Sequence, residues 1–362
     1  MNVFVSKLLY DDAQPYIEAF TLQKDRLNIV TTEKHSMARI LSIHCPDYVQ
    51  FLSVLASDNT KRQQGNIGCE SNVTLQRKSL ACYPHARLLK NSFTIERSIS
   101  NNLLNTPFQL SGKLGYYTFD TSILDIQQND FDKAYNSVQI AVAAAEHVVE
   151  SDDPALALCE TVGHFADKSL TGGGALFNHA AIAAQYILDK IDDLEFVAIL
   201  DLDANHASGT QGIFYNVRNP VVVSIHTETS YPFWTGKKNE HGIGMGHGRT
   251  INKVVPDYSI GSMYYNALDK AIDTIKDLSC KYIVVSLGLN VLADNADGLL
   301  VLTADDMRKI GEKLSNLLDD DIKIVIVTEG ISNLETAPKA LIEFLTPFID
   351  YCYYDKCLGF SD

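Results

Sequence analysis

Four short apolar runs in the second half of the chain constrain the fold more than any other feature. They occupy residues 196–200 (FVAIL), 221–225 (VVVSI), 282–285 (YIVV) and 322–327 (IKIVIV). Each is nearly continuous rather than alternating, the pattern of strands covered on both faces. Helical patterns separate them: an Ala-rich stretch at 131–149, apolar spacing at 175–190, and amphipathic runs at 264–278 and 303–318. The last opens on Thr303 followed by Asp305 and Asp306, an N-cap and acids that suit the helix dipole. Strands alternating with helices imply βαβ units, hence an α/β chain with a mostly parallel central sheet and helices on both faces. Such sheets bind ligands where the carboxyl ends of their strands emerge. Those ends read Asp201-Leu-Asp203-Ala-Asn205-His206, Ser224-Ile225-His226, Ser286-Leu-Gly288-Leu-Asn290 and Thr328-Glu-Gly330-Ile-Ser332.

The remaining stretches set limits on function. Among 362 residues, 46% are hydrophobic, enough for a sizeable core, and the net charge is −15. That charge offers no general nucleic-acid footprint, and Lys61-Arg62 and Arg87 to Lys90 read as solvated surface. The seven cysteines (45, 69, 82, 159, 280, 352 and 357) are odd in number and scattered, as in a reducing, cytoplasmic compartment. Met1 to Val5 is strand-like without a signal-peptide pattern, and no apolar run is long enough to span a membrane. Residues 57–113 are polar and weakly periodic, so they read as an insertion in a single domain over 1–362.

A hydrolytic zinc site needs three ligands, usually His and carboxylate, plus an open position for water. An Asp-x-His pair at one strand end with an Asp from another would supply them. Here those places hold Asp203, Asn205 and Asn290, and only the first carries charge. Amide oxygens are weak neutral ligands that suit hard cations better than zinc. His164, in Gly163-His164-Phe165-Ala166, could act as a general base.

At these residues the chain resembles the histone deacetylase superfamily. Thr161-Val-Gly163-His164-Phe165-Ala166 and Gly172-Gly173-Gly174-Ala-Leu-Phe-Asn178 look like its double-histidine region. Residues 197–215, with Asp201, Asp203 and Ser208, look like its metal strand. Val284-Val-Ser-Leu-Gly288-Leu-Asn290 resembles the strand giving the last ligand, and Glu329-Gly330-Ile-Ser332 the segment ending in a catalytic tyrosine. His44-Cys-Pro-Asp-Tyr48, Leu114-Gly-Tyr-Tyr117 and Val285-Ser-Leu-Gly288 lean toward the acetylpolyamine amidohydrolase branch. The resemblance covers almost the whole chain and implies the three-layer arginase/deacetylase fold.

Carried across residue by residue, the resemblance retains Asp203 as a zinc ligand and His164 as an active-site histidine oriented by Asp201. It places Asn205 and Asn290 at the other two zinc ligands and Phe165 at the second histidine. Ser208 falls at that histidine's partner and Ser332 at the catalytic tyrosine. Zinc is therefore not expected. A monovalent-cation site beneath is implied at Asp201, Asp203, Asn205, Ser224 and Ile225, with structural potassium as its occupant. Gly173, Gly174 and His206 would line the pocket. His206 and His226 read as structural histidines and Cys159 as a buried strand cysteine. The glycine-rich run at 242–249 neither follows a strand nor opens a helix, so it reads as pocket wall rather than a phosphate cradle.

The leading expectation is a pseudoenzyme for zinc-dependent deacetylation that binds a small acylated-amine or polyamine-like ligand, or a partner. The rival is an active amidohydrolase with altered metal chemistry. A scaffold acting through surface contacts is the third, and the resemblance implies that the insertion at 57–113 supports a homodimer.

Overall fold

The computed structural model describes residues 1–7, 13–32, 37–63, 109–295, 298–330 and 335–358. Eight strands form one sheet: β1 (Asn2–Val5), β2 (Asn28–Thr31), β3 (Ala155–Ala157), β4 (Phe196–Asp201), β5 (Val221–Thr227), β6 (Thr250–Val255), β7 (Cys280–Leu287) and β8 (Lys323–Thr328). Their order is β2-β1-β3-β8-β7-β4-β5-β6. Every pairing among them is parallel, so the expected sheet is not merely mostly but wholly parallel among the described residues. The four continuous apolar runs are the central β8, β7, β4 and β5, which explains why they carry no polar face.

The helices are α1 (Gln14–Thr21), α2 (Ala38–Leu41), α3 (Pro46–Gln63), α4 (Leu110–Tyr117), α5 (Gln128–Ser151), α6 (His179–Leu188), α7 (Ser208–Phe214), α8 (Gly261–Asp277), α9 (Ala304–Ser315) and α10 (Ala337–Leu358). They divide the core in two. One side packs α1, α8, α9 and α10 against alternate strand residues such as Leu200, Val223 and Val285. The other packs α3, α5 and α6 against the intervening residues Ile199, Val222 and Val284. The result is the three-layer arrangement expected from the alternation of strands and helices.

Local chemistry fixes several element ends. Thr303 caps α9 in a reciprocal box with Asp306, as its sequence suggests. The helix expected from residue 175 starts later, because the Asn178 side chain accepts the Ala181 N–H and sets the N-cap there. Residues 57–63 complete α3 and 110–113 begin α4, while 64–108 lie outside the described residues. No helix among the described residues is long and apolar enough to cross a membrane.

Candidate functional site

Adjacent strand ends bring the expected residues together at the carboxyl end of the sheet. Asp201 ends β4 and lies in register with Ser224 of β5 on one side and Ser286 of β7 on the other. The segment after β4 supplies Asp203, Asn205 and His206, the segment after β7 supplies Asn290, and the segment after β3 supplies His164 and Phe165. Asp201, Asp203 and His164 are fully or almost fully buried, whereas Asn205 and Asn290 are half-buried.

The two asparagines turn their amide nitrogens onto Asp203. Asn290 Nδ2 donates to Asp203 Oδ1 at 2.9 Å, and Asn205 Nδ2 donates to the same oxygen at 3.2 Å. The Asn205 backbone N–H adds a third bond at 2.8 Å. Neither amide is free to flip, because each carbonyl oxygen is engaged elsewhere. Asn290 Oδ1 accepts the Ala204 N–H at 3.2 Å, and Asn205 Oδ1 accepts the Tyr231 N–H at 3.2 Å. Reversing either amide would set oxygen against oxygen and N–H against N–H. The three positions that would converge on a metal instead bond to each other.

His164 sits beside this knot. Its Nδ1 lies 3.2 Å from Asp201 Oδ2, and its Nε2 lies 3.9 Å from Asp203 Oδ1 without a hydrogen-bond partner. Burial opposes charge on the ring, but Asp201, Asp203 and Glu329 outweigh it and lift the pKa to about 10. At neutral pH His164 is therefore an imidazolium, which can stabilise anions but cannot accept a proton. Burial raises Asp203 above the ordinary carboxylate range, with His164 opposing the rise.

Glu329, just beyond β8, is a structural partner that sequence reasoning missed. Its Oε2 accepts the Gly163 N–H at 2.6 Å and the His164 N–H at 3.0 Å. Its Oε1 accepts from Ser286 Oγ at 2.6 Å and lies 3.3 Å from His179 Nε2. Burial pushes against the charge, yet His179 and His164 hold this carboxyl below its ordinary value. Glu329 thus anchors the turn that presents His164.

Phe165 fills the second-histidine position with an apolar ring. Its centroid lies 4.1 Å from that of His164 and 4.8 Å from that of Tyr231, and it joins Phe119, Leu170 and Ala175 in a small cluster. Gly173, at φ +60°, lets the chain pass this ring: a Cβ there would sit 2.4 Å from Phe165 Cδ2. Gly173 and Gly174 do line this region, and their N–H groups donate to Asp120 Oδ2 at 2.9 Å and Ser122 Oγ at 2.8 Å. Asp120 also accepts from Tyr231 Oη at 2.5 Å. Asp120 and Tyr231 went unnoticed in the sequence, since only the fold joins positions so far apart. Ser208 is buried with its hydroxyl unpartnered, so it contacts no second histidine.

The remaining expectations resolve as follows. His206 binds Thr235 Oγ1 at 2.8 Å and Gln211 Oε1 at 3.1 Å through its two nitrogens, and burial keeps it neutral, so it braces the loop. His226, held by burial to a pKa of about 4, lies 2.9 Å from the Gly236 carbonyl through Nε2. That nitrogen must carry the proton, which leaves Nδ1 to accept from Ser224 Oγ at 2.9 Å. Ser224 Oγ in turn accepts the Ala207 N–H at 3.5 Å, and Ile225 follows it in the same buried strand. Cys159 is buried with its pKa raised well above normal, chiefly by desolvation, which makes it inert. The 242–249 run forms a short 3₁₀ turn, Gly244–Gly246, and no helix N-terminus. Ser332 lies outside the described residues.

The family described as "Histone deacetylase domain" matches residues 14–346. Acetylpolyamine amidohydrolase 1 of Pseudomonas aeruginosa is 35% identical over 213 residues, 58% of this chain and 61% of that protein. Acetylpolyamine amidohydrolase of Burkholderia pseudomallei is 32% identical over 67% of this chain and 70% of that protein. The Mycoplana ramosa acetylpolyamine amidohydrolase is 27% identical over 84% of this chain and 81% of its own length. The chain spans about three-fifths of the first two curated relatives it matches. A crystal structure of acetylpolyamine aminohydrolase from Burkholderia pseudomallei superposes with a TM-score of 0.77 at 24% identity, covering 96% of this chain and 98% of that one, and so supports the fold.

Proposed function

The chain belongs to the histone deacetylase domain family, and we propose that it is a member whose pocket binds a small acylated amine without zinc-dependent hydrolysis. The observation that carries this reading is the bonding of both Asn205 and Asn290 amide nitrogens to Asp203 Oδ1. Zinc requires lone pairs directed at one point. These two side chains direct N–H groups there instead, and both carbonyl oxygens are committed to backbone donors. The residues present therefore do not fit zinc. His164 reinforces the conclusion, because a histidine held as imidazolium cannot be the general base of amide hydrolysis.

A monovalent cation such as potassium fits the residues beneath. The donor set is all oxygen: the Asp201 and Asp203 carboxylates, carbonyls of Asn205 and Ile225, and the Ser224 hydroxyl. Such a set suits a hard ion. It would hold the two carboxylates in place.

The ligand class follows from the side chains packed around Phe165 and Tyr231. Phe119 meets Tyr231 and Trp234 with ring centroids 5.9 and 5.8 Å apart, and Asp120 lies against the same wall. Aromatic faces beside a carboxylate attract an ammonium group. Relatives named as acetylpolyamine amidohydrolases agree with that choice.

The test is to measure calorimetric binding and hydrolysis of N-acetylated diamines, with and without added zinc. Saturable binding that weakens roughly tenfold in Asp120→Ala, the loss of about one charge-assisted bond, is expected, with no turnover above buffer. Zinc-stimulated release of acetate would overturn the reading and favour an active amidohydrolase.

A further inference from the structure

The far edge of the sheet carries a second groove, remote in the strand order from the segments that bring His164 and Glu329 to the pocket. β6 is the last strand and pairs only with β5, so among the described residues its other edge pairs with no strand. All seven residues from Thr250 to Pro256 line a cavity of about 660 Å³ on that side. The groove thus follows the whole length of β6, and a lining that runs along a strand edge suits an extended chain.

The lining is selective in charge. Lys238, Lys253, Lys270 and His241 border the groove, and no aspartate or glutamate does. This is notable in a chain with 45 acidic and 30 basic residues. Lys253 comes from the strand itself, where an edge lysine commonly discourages pairing, and its ammonium is bonded to Thr274 Oγ1 at 3.3 Å. Lys238 and Lys270 come from flanking segments and are exposed, with no ion pair among the described residues. The Thr250 hydroxyl is buried and without a hydrogen-bond partner in a residue that lines the cavity. Met263 also lines it at 46% exposure, beside Ile260 at 54%, giving the basic groove an apolar end.

We infer that this edge is a docking site for an acidic peptide segment in extended conformation, which adds to the sheet as a strand beside β6. Its main chain would pair with the free edge of β6, its carboxylates would meet Lys238 and Lys270, and an apolar side chain would cover Met263. Strand addition of this kind draws affinity from main-chain bonds and specificity from alternate side chains.

The probe is a fluorescently labelled peptide of alternating Glu and Val, followed by anisotropy against the full chain. Saturable binding is expected, weakened roughly fivefold or more by Lys238→Glu with Lys270→Glu, the worth of about two exposed ion pairs. A peptide in which one central Glu and the next Val are both Pro should bind far more weakly, because one of the two lost N–H groups must face β6. Amide exchange over residues 250–255 should slow when the Glu/Val peptide is added. The inference fails if the proline peptide or inorganic phosphate competes as well as the Glu/Val peptide, which would mark a plain anion site. It also fails if the double charge reversal leaves affinity unchanged or exchange over β6 does not respond.

Discussion

Replacing His164 by alanine should destabilise the protein by about 3–5 kcal/mol at neutral pH, read as a shift in equilibrium urea denaturation. The ring is fully buried between Asp201 and Asp203, and its removal takes away the imidazolium that lies between the two carboxylates. The penalty is that of uncompensated buried charge, so it exceeds the loss of one hydrogen bond. It should also depend on pH in a defined direction. The folded state raises the His164 pKa from 6.5 to about 10. A raised pKa means that the folded state holds the proton more tightly than the unfolded state. The stabilisation is therefore complete below pH 6.5 and is lost as pH rises toward about 10. The gap between wild type and His164→Ala should narrow over that interval. A gap that stays constant from pH 6.5 to 10 would show that His164 is neutral in the fold.

Glu329→Ala should cost a similar amount, about 3–5 kcal/mol, since it strips four buried groups of their shared acceptor. These are the N–H groups of Gly163 and His164, the Ser286 hydroxyl and the His179 ring. Here the sign reverses. A carboxyl held below its ordinary value contributes stability that is present above its unfolded pKa of 4.5 and is lost as pH falls through the folded value. The difference between wild type and variant should thus shrink on acidification. Glu329→Gln, which keeps the shape and one acceptor oxygen, should recover part of the loss. If the glutamine variant were as unstable as the alanine one, the charge rather than the bonding would be what matters.

The parts of the fold legible in the sequence are those where burial is two-sided. β4, β5, β7 and β8 sit in the middle of the sheet, so neither face needs polar residues and the apolar runs stand out. The edge strands lack that signature. β6 reads Thr-Ile-Asn-Lys-Val-Val, with Asn252 bonded to Gln211 and Lys253 at the groove, and nothing continuous announces it. β2 is four residues long and largely exposed, while β3 has three residues, too few to form a pattern. α10 contains Pro347, which usually argues against a helix interior.

As positions the site was legible: Asp201, Asp203, Asn205, Asn290 and His164, all named from the sequence, meet in the structure. What the substituted side chains do there was not. An asparagine can offer either its oxygen or its nitrogen, and only the surrounding N–H donors of Ala204 and Tyr231 decide which. The charge of His164 likewise depends on three carboxylates drawn from two strand ends. Glu329 could not be recognised because its partners at 163 and 164 lie more than 160 residues away in the chain.

The central claim is that the polar groups at the zinc position are satisfied by each other and leave no metal site. Metal analysis by mass spectrometry, after incubation of the full chain with excess zinc and exhaustive dialysis, tests it most directly. The account predicts far less than one zinc per chain, with binding appearing once Asn205→His and Asn290→Asp are introduced together. One tightly held zinc per wild-type chain, lost in Asp203→Ala, would contradict it.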